Sequence, residues 1–200
     1  MKTNIQSIKA LMIAALVVLA VGCSEFNAPT ASQPPESSSE NFQYPPIENV
    51  IATVEAAGYR VIAPRAETAL DDQECDTVSV SRLCRGSNVS NINLSGICKL
   101  TVPGSVLPND MTITVVAPST CMGVADFYPH PTQFNGNVEI RWDTQDFELP
   151  EGMSFDDIVP LYVHDDGTIE EVVFERSENR FITVQTNHFS RYIITQRVGA

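Results

Sequence analysis

Positive charge is scarce in this chain: 12 Lys and Arg stand against 25 Asp and Glu over 200 residues, a formal charge of −13. That balance argues against nucleic acid as a partner, because gripping a polyanion relies on basic side chains that neutralise phosphates. Catalytic signatures are missing as well. No Ser/His/Asp constellation, Gly-rich phosphate loop or paired-carboxylate motif stands out, so the sequence predicts no enzyme active site and no cofactor. No two cysteines have Cys-x-x-Cys spacing and no His lies beside them, which leaves a structural metal without a ligand set. EF-hand spacing is absent, so the acidic pairs Asp156-Asp157 and Asp165-Asp166 read as turn formers rather than calcium ligands. No internal repeat is visible, and the one long apolar run, Ala10 to Val21, falls short of the roughly 20 residues that span a bilayer.

What is present begins with that run. Lys2 and Lys9 precede it and small residues follow it, which is the layout of a secretory signal over residues 1–22. The stretch Leu19-Ala20-Val21-Gly22-Cys23 resembles the lipobox of bacterial lipoproteins, in which the cysteine takes a diacylglycerol and becomes the new N-terminus. The resemblance implies lipidation at Cys23 and anchoring in a membrane through the lipid. Ser24 beside it resembles sorting to the outer membrane, so the expected location is the bacterial cell envelope, facing the periplasm or the cell surface. Cleavage after residue 22 removes Lys2 and Lys9 and leaves a charge of −15.

Residues 23–46 are rich in Ser, Pro, Glu, Gln and Asn, and read as a disordered tether. Residues 47–76 read as a helix, strand and loop that cap the main domain. Ile47, Val50, Ile51 and Val54 are spaced for one face of a helix that stops at Gly58, and Tyr59 to Ala63 follows as a short strand ended by Pro64. From residue 77 to 200 the chain carries short strand-like segments separated by turn residues, and the predicted fold is an all-β antiparallel sandwich. The expected strands are Thr77–Leu83, Ile97–Val102, Met111–Ala117, Asn137–Trp142, Ile158–His164, Ile169–Glu175, Arg180–Gln185 and Phe189–Gln196. Val138, Ile140 and Trp142 should face inward while Glu139 and Arg141 face water. Asp165-Asp166-Gly167 and Ser177-Glu178-Asn179 should be hairpin turns.

The order of motifs resembles the ZU-five domain, the β-sandwich of ankyrins, netrin receptors and many bacterial surface proteins. The similarity rests on Leu100-Thr101-Val102-Pro103-Gly104-Ser105-Val106-Leu107-Pro108 followed by Met111-Thr112-Ile113-Thr114-Val115. It continues through Asp126-Phe127-Tyr128-Pro129-His130-Pro131-Thr132-Gln133-Phe134 and Val138-Glu139-Ile140, and ends with Asp166-Gly167 and His188-Phe189-Ser190-Arg191-Tyr192. It implies a module for protein contacts. In a few relatives, and in a nucleoporin's autoproteolytic domain, the His-Phe-Ser tripeptide breaks between Phe and Ser. Carried over, Ser190 is the nucleophile, His188 the proton acceptor and Phe189 to Ser190 the reacting bond. Read as ordinary structure, the same residues begin a strand whose Phe189 packs inward.

Four cysteines remain beside Cys23: Cys75, Cys84, Cys98 and Cys121. An even number in an oxidising compartment predicts two disulfides. Three pairings are open, and Cys75 with Cys84 and Cys98 with Cys121 is the preferred one. His130 and His164 read as polar residues at strand ends, and Trp142 as core. Asn88-Val89-Ser90 and Asn93-Leu94-Ser95 match a glycosylation pattern that a bacterial lipoprotein would not use. Carbohydrate binding, the remaining alternative, needs an exposed platform drawn from Trp142, Tyr128 and Tyr162.

Overall fold

In the computed structural model, residues 42–65, 75–177 and 180–198 are described. The leader, Cys23 and most of the tether lie outside those residues, as does part of the Ser177-Glu178-Asn179 turn. One helix, α1 (Ile47–Ala56), is followed by β1 (Tyr59–Val61) and β2 (Ala63–Pro64). Then come β3 (Val78–Cys84), β4 (Ser90–Leu94), β5 (Cys98–Val102), β6 (Met111–Ala117), β7 (Val124–Tyr128) and β8 (Gln133–Asp143). The chain ends with β9 (Phe147–Glu148), β10 (Ile158–Val163), β11 (Ile169–Glu171), β12 (Phe174–Ser177), β13 (Phe181–His188) and β14 (Arg191–Arg197).

Two antiparallel sheets make the sandwich. One has the order β11-β10-β14-β7-β6-β3, with β1 also paired to β14, and the other has the order β12-β13-β8-β5-β4. Alternation decides which side chains meet between them. Val138, Ile140 and Trp142 are fully buried while Glu139 and Arg141 stay half-exposed, and Ile113 and Val115 point inward from β6. They join Leu100, Phe127, Ile182, Val184, Tyr192 and Ile194 in the main core. The outer face of the first sheet is buried too. Val50 and Val54 of α1, one helical turn apart, pack on Val124, Val159, Leu161, Val163 and Ile193. The helix ends at Gly58, whose φ of 83° is readily adopted only without a Cβ.

The last strand occupies the middle of its sheet, between β10 on one side and β7 and β1 on the other. Six of its seven residues are buried, Tyr192 and Ile194 toward the sandwich and Ile193 toward α1. Several elements differ from expectation. Val124–Tyr128 (β7) is a strand between β6 and β14, where none is expected. The expected strand Ile169–Glu175 is two strands, β11 pairing with β10 and β12 with β13, so the chain crosses between sheets at Val172-Val173. The Asn-rich Ser90–Leu94 is a strand whose Ile92 and Leu94 are buried while Asn91 and Asn93 face out.

Candidate functional site

The tripeptide His188-Phe189-Ser190 forms the corner between β13 and β14. Just before it the pairing with β8 shifts register, Thr186 lying opposite Val138 and His188 opposite Gln133. Such irregularities bend a strand and re-aim its side chains. Phe189 is fully buried, with its ring stacked on Phe127 at 5.7 Å and edge-on to Phe134 at 4.7 Å. Ser190 is also fully buried, and its Oγ donates to the Val163 carbonyl at 2.7 Å. Thr186 ties the corner together: its Oγ1 accepts from the Tyr192 hydroxyl at 2.9 Å and donates to the His188 carbonyl at 3.1 Å.

Two histidines lie at this corner. The His188 Nδ1 lies near Thr186 Oγ1 and Asn187 Oδ1, at 3.3 and 3.2 Å, and neither ring nitrogen bonds the Ser190 hydroxyl. The ring borders a cleft of about 470 Å³ with Tyr162, His164 and Glu170. Burial, and then the neighbouring His130 and His164, hold its imidazole below the ordinary histidine range. His130, 58 residues earlier and buried, instead reaches the Phe189–Ser190 peptide: its Nδ1 donates to the Phe189 carbonyl oxygen at 2.7 Å. Its Nε2 faces Asp165 Oδ1 at 2.9 Å. Both ring nitrogens therefore face oxygen acceptors. His130 could be identified in the sequence only as a strand-end polar residue, because nothing local reports a contact with Phe189.

A short segment ahead of α1 covers this corner. The tether was expected to run to residue 46, yet Tyr44 is only 4% exposed and its hydroxyl donates to the Phe127 carbonyl at 2.8 Å. Phe42 packs on His130 at 4.1 Å between ring centroids. Arg191 holds the strap down: its Nη1 donates to the Pro45 carbonyl at 2.6 Å, and its guanidinium lies over the Tyr44 ring. The same guanidinium grips Asp126 through Nε and Nη2 at 2.6 and 2.8 Å. Burial raises the Asp126 carboxyl above its ordinary value, and the Arg191 contact opposes that rise.

The cysteine pairing is a correction. Cys75 joins Cys121, and Cys84 and Cys98 are free and buried. Cys84 ends β3, while Cys75 lies three residues before that strand begins. At about 3.3 Å per strand residue the two are held far beyond the roughly 4.4–6.8 Å between Cα atoms that a disulfide spans. The antiparallel pairing of Val78 with Ala117 instead brings the start of β3 beside the turn holding Cys121. Cys98 belongs to the other sheet, and burial pushes its thiol up to about 12.

The acidic pairs build turns. Asp157 accepts from the Ser154 N–H at 2.7 Å in a capping box, and Asp166 Oδ1 accepts from the N–H and hydroxyl of Thr168. Among the described residues no three His, Cys, Asp or Glu side chains gather to hold a metal. Trp142 is fully buried, and the half-buried Tyr128 and Tyr162 pack against other rings, so these three form no open aromatic platform.

One further feature had no sequence signal beyond its alternation. β3 is an edge strand of seven residues, of which six are exposed, including Val78, Val80 and Leu83. Its pairing with β6 runs from Val78–Ala117 to Cys84–Met111 without a bulge. Its start is anchored by the disulfide, by the Thr120 N–H donating to the Asp76 carbonyl, and by the Thr77 hydroxyl donating to the Pro118 carbonyl. Compared with known proteins, the chain matches no family model and no curated sequence.

Proposed function

We propose that this chain is an envelope lipoprotein, anchored through Cys23, whose sandwich is a non-enzymatic module that binds an extended segment of a protein partner along β3. The carrying observation is the unguarded edge. Edge strands expose unpaired N–H and C=O groups, and natural proteins blunt them with Pro, Lys, bulges or shortness. β3 has none of these, with only Arg82 as a charge. The other edges are managed: β11 has three residues, β12 has four, and the Asn91 carbonyl of β4 accepts from Arg82 Nη1 at 2.6 Å. Adding a strand to such an edge is a recurrent way to bind a peptide. Charge defines the occupant. From Thr77 to Asn109 there is no Asp or Glu, whereas Arg82, Arg85 and Lys99 fall within that stretch of an otherwise acidic chain. An extended, acidic partner segment suits it.

The test is co-purification from the native envelope with wild type and with Val78→Lys/Val80→Lys, both changes at exposed sites. The proposal expects a partner recovered with wild type and lost with the double variant at unchanged melting temperature. Recovery of the same proteins with both would refute it. Labelling with a radioactive fatty acid, lost in Cys23→Ala, tests the anchor separately.

A second reading, single-turnover self-cleavage, is favoured by the His130 contact with the Phe189 carbonyl. Attack of Ser190 Oγ on that carbonyl would form an ester and free the Ser190 amine. Water would then release residues 190–200, with the His130 donor stabilising the developing oxyanion. Against it, the Ser190 hydroxyl is directed at Val163, not at a base. Ser190→Ala separates the roles. It should cost about 0.5–1.5 kcal/mol in urea unfolding by removing the buried bond to the Val163 carbonyl, and the intact mass of wild type should equal that of the uncleaved chain. Loss of the mass of residues 190–200 in wild type alone would establish cleavage.

A further inference from the structure

A second site lies at the end of the sandwich, away from both β3 and the His188 corner. A cleft of about 530 Å³ opens where β1, β10 and β14 approach β12 and the 150–157 loop. Arg60 and Gln196 are register partners, so their side chains leave the same sheet face. That face also carries Tyr192 and Ile194 into the core, and Gln196 continues the row to the open end. Gln196 is 2% exposed, it lines the cleft, and its Oε1 has no hydrogen-bond partner among the described residues. Buried polar atoms are otherwise well paired in folded proteins, so an orphan facing a cleft is a mark of something that binds there.

The remaining charges define what it binds. Arg197 is taken by Glu171, which also accepts from the Tyr59 hydroxyl. Arg176 is fixed in place, its Nη2 donating to the Asp156 and Ile158 carbonyls at 2.9 and 2.7 Å. Its guanidinium covers the Phe174 ring at 4.5 Å. The one aromatic face of the lining is thus occupied, which removes the stacking platform a sugar would use. Asp157 is engaged with Ser154. Arg60, Glu151 and Asp156 all line the cleft, and none of the three has an ion-pair partner among the described residues.

We infer that the cleft binds a small zwitterion, an amino acid or short peptide with free ammonium and carboxylate groups. The carboxylate accepts from the Arg60 fork, and the ammonium lies against Asp156 and Glu151 and donates to Gln196 Oε1. If the Gln196 amide is turned over, its Nε2 meets the carboxylate instead, so both orientations are satisfied by the same ligand. A simple anion would leave the two carboxylates unmatched, and a simple amine would leave Arg60 unmatched.

The test is calorimetric titration of the full mature chain in detergent with L-alanyl-L-alanine. Saturable binding is expected. It should weaken about tenfold or more in Arg60→Ala and in Gln196→Met, each removing at least one charge-assisted or buried hydrogen bond. It should vanish for the N-acetylated, C-amidated dipeptide. Arg60 is exposed, so its variant keeps the fold even if Gln196→Met does not. Free L-alanine binding as tightly would narrow the ligand to an amino acid. No saturable binding of either zwitterion, or equal binding of the blocked peptide, would overturn the inference.

Discussion

Replacing Arg191 with Ala should destabilise the domain at neutral pH by about 3–5 kcal/mol, the usual cost of stranding one member of a buried ion pair. The side chains of Arg191 and Asp126 are 4% and 6% exposed, and the guanidinium makes two bonds to the carboxylate and one to the Pro45 carbonyl. Without it, Asp126 keeps its desolvation and loses the contact that opposes it, so its carboxyl rises further. The sign of the pH dependence follows. A carboxyl whose folded value lies above its unfolded value contributes fully below the unfolded value of 3.8, and that contribution is lost as pH climbs through the folded one. The penalty of Arg191→Ala should therefore shrink as pH falls toward 4, as read from urea midpoints at several pH values. The double variant Arg191→Met/Asp126→Leu should recover most of the loss, because apolar replacements of a buried pair are often neutral or better. A single-variant cost below about 1 kcal/mol, the range of surface pairs, would contradict the buried-pair assignment.

Cys121→Ser should cost about 4 kcal/mol, from the loop closed by residues 46 apart in sequence. Reductant should lower wild type to the same stability and leave the variant unchanged. Non-reducing peptide mapping should recover the Cys75 peptide joined to the Cys121 peptide. Cys84 and Cys98, buried in the core, should resist alkylation until the chain unfolds. A cross-link involving either of them would contradict the fold at β3. The disulfide also bears on function, since it pins the start of the edge strand proposed to receive the partner.

The periodic parts of the fold were legible. Val138, Ile140 and Trp142 alternate as a half-buried strand should, and Val50 and Val54 repeat at the helical interval, so local pattern and burial agree. The failures are non-local. Cys75 meets Cys121 because β3 runs antiparallel to β6, and a pairing across 46 residues has no local signature. His130 meets the Phe189 carbonyl for the same kind of reason, through β7 lying beside β14. Ser90–Leu94 is absent from the expected strands because its outward positions are Asn, although Ile92 and Leu94 face the core. Phe42 to Pro46 looked like tether because the anchor that orders it, Arg191, arrives near the end of the chain.

The proposed binding edge is tested most directly by a photo-reactive residue at Ser79, exposed on β3, set against one at Glu175, exposed on β12 at the opposite side of the sandwich. With the full lipoprotein in its native envelope, the account predicts an adduct to one partner protein from Ser79, none from Glu175, and loss of the Ser79 adduct in Val80→Lys. No Ser79 adduct, an adduct only to a second copy of this chain, or equal adducts from both positions would contradict it.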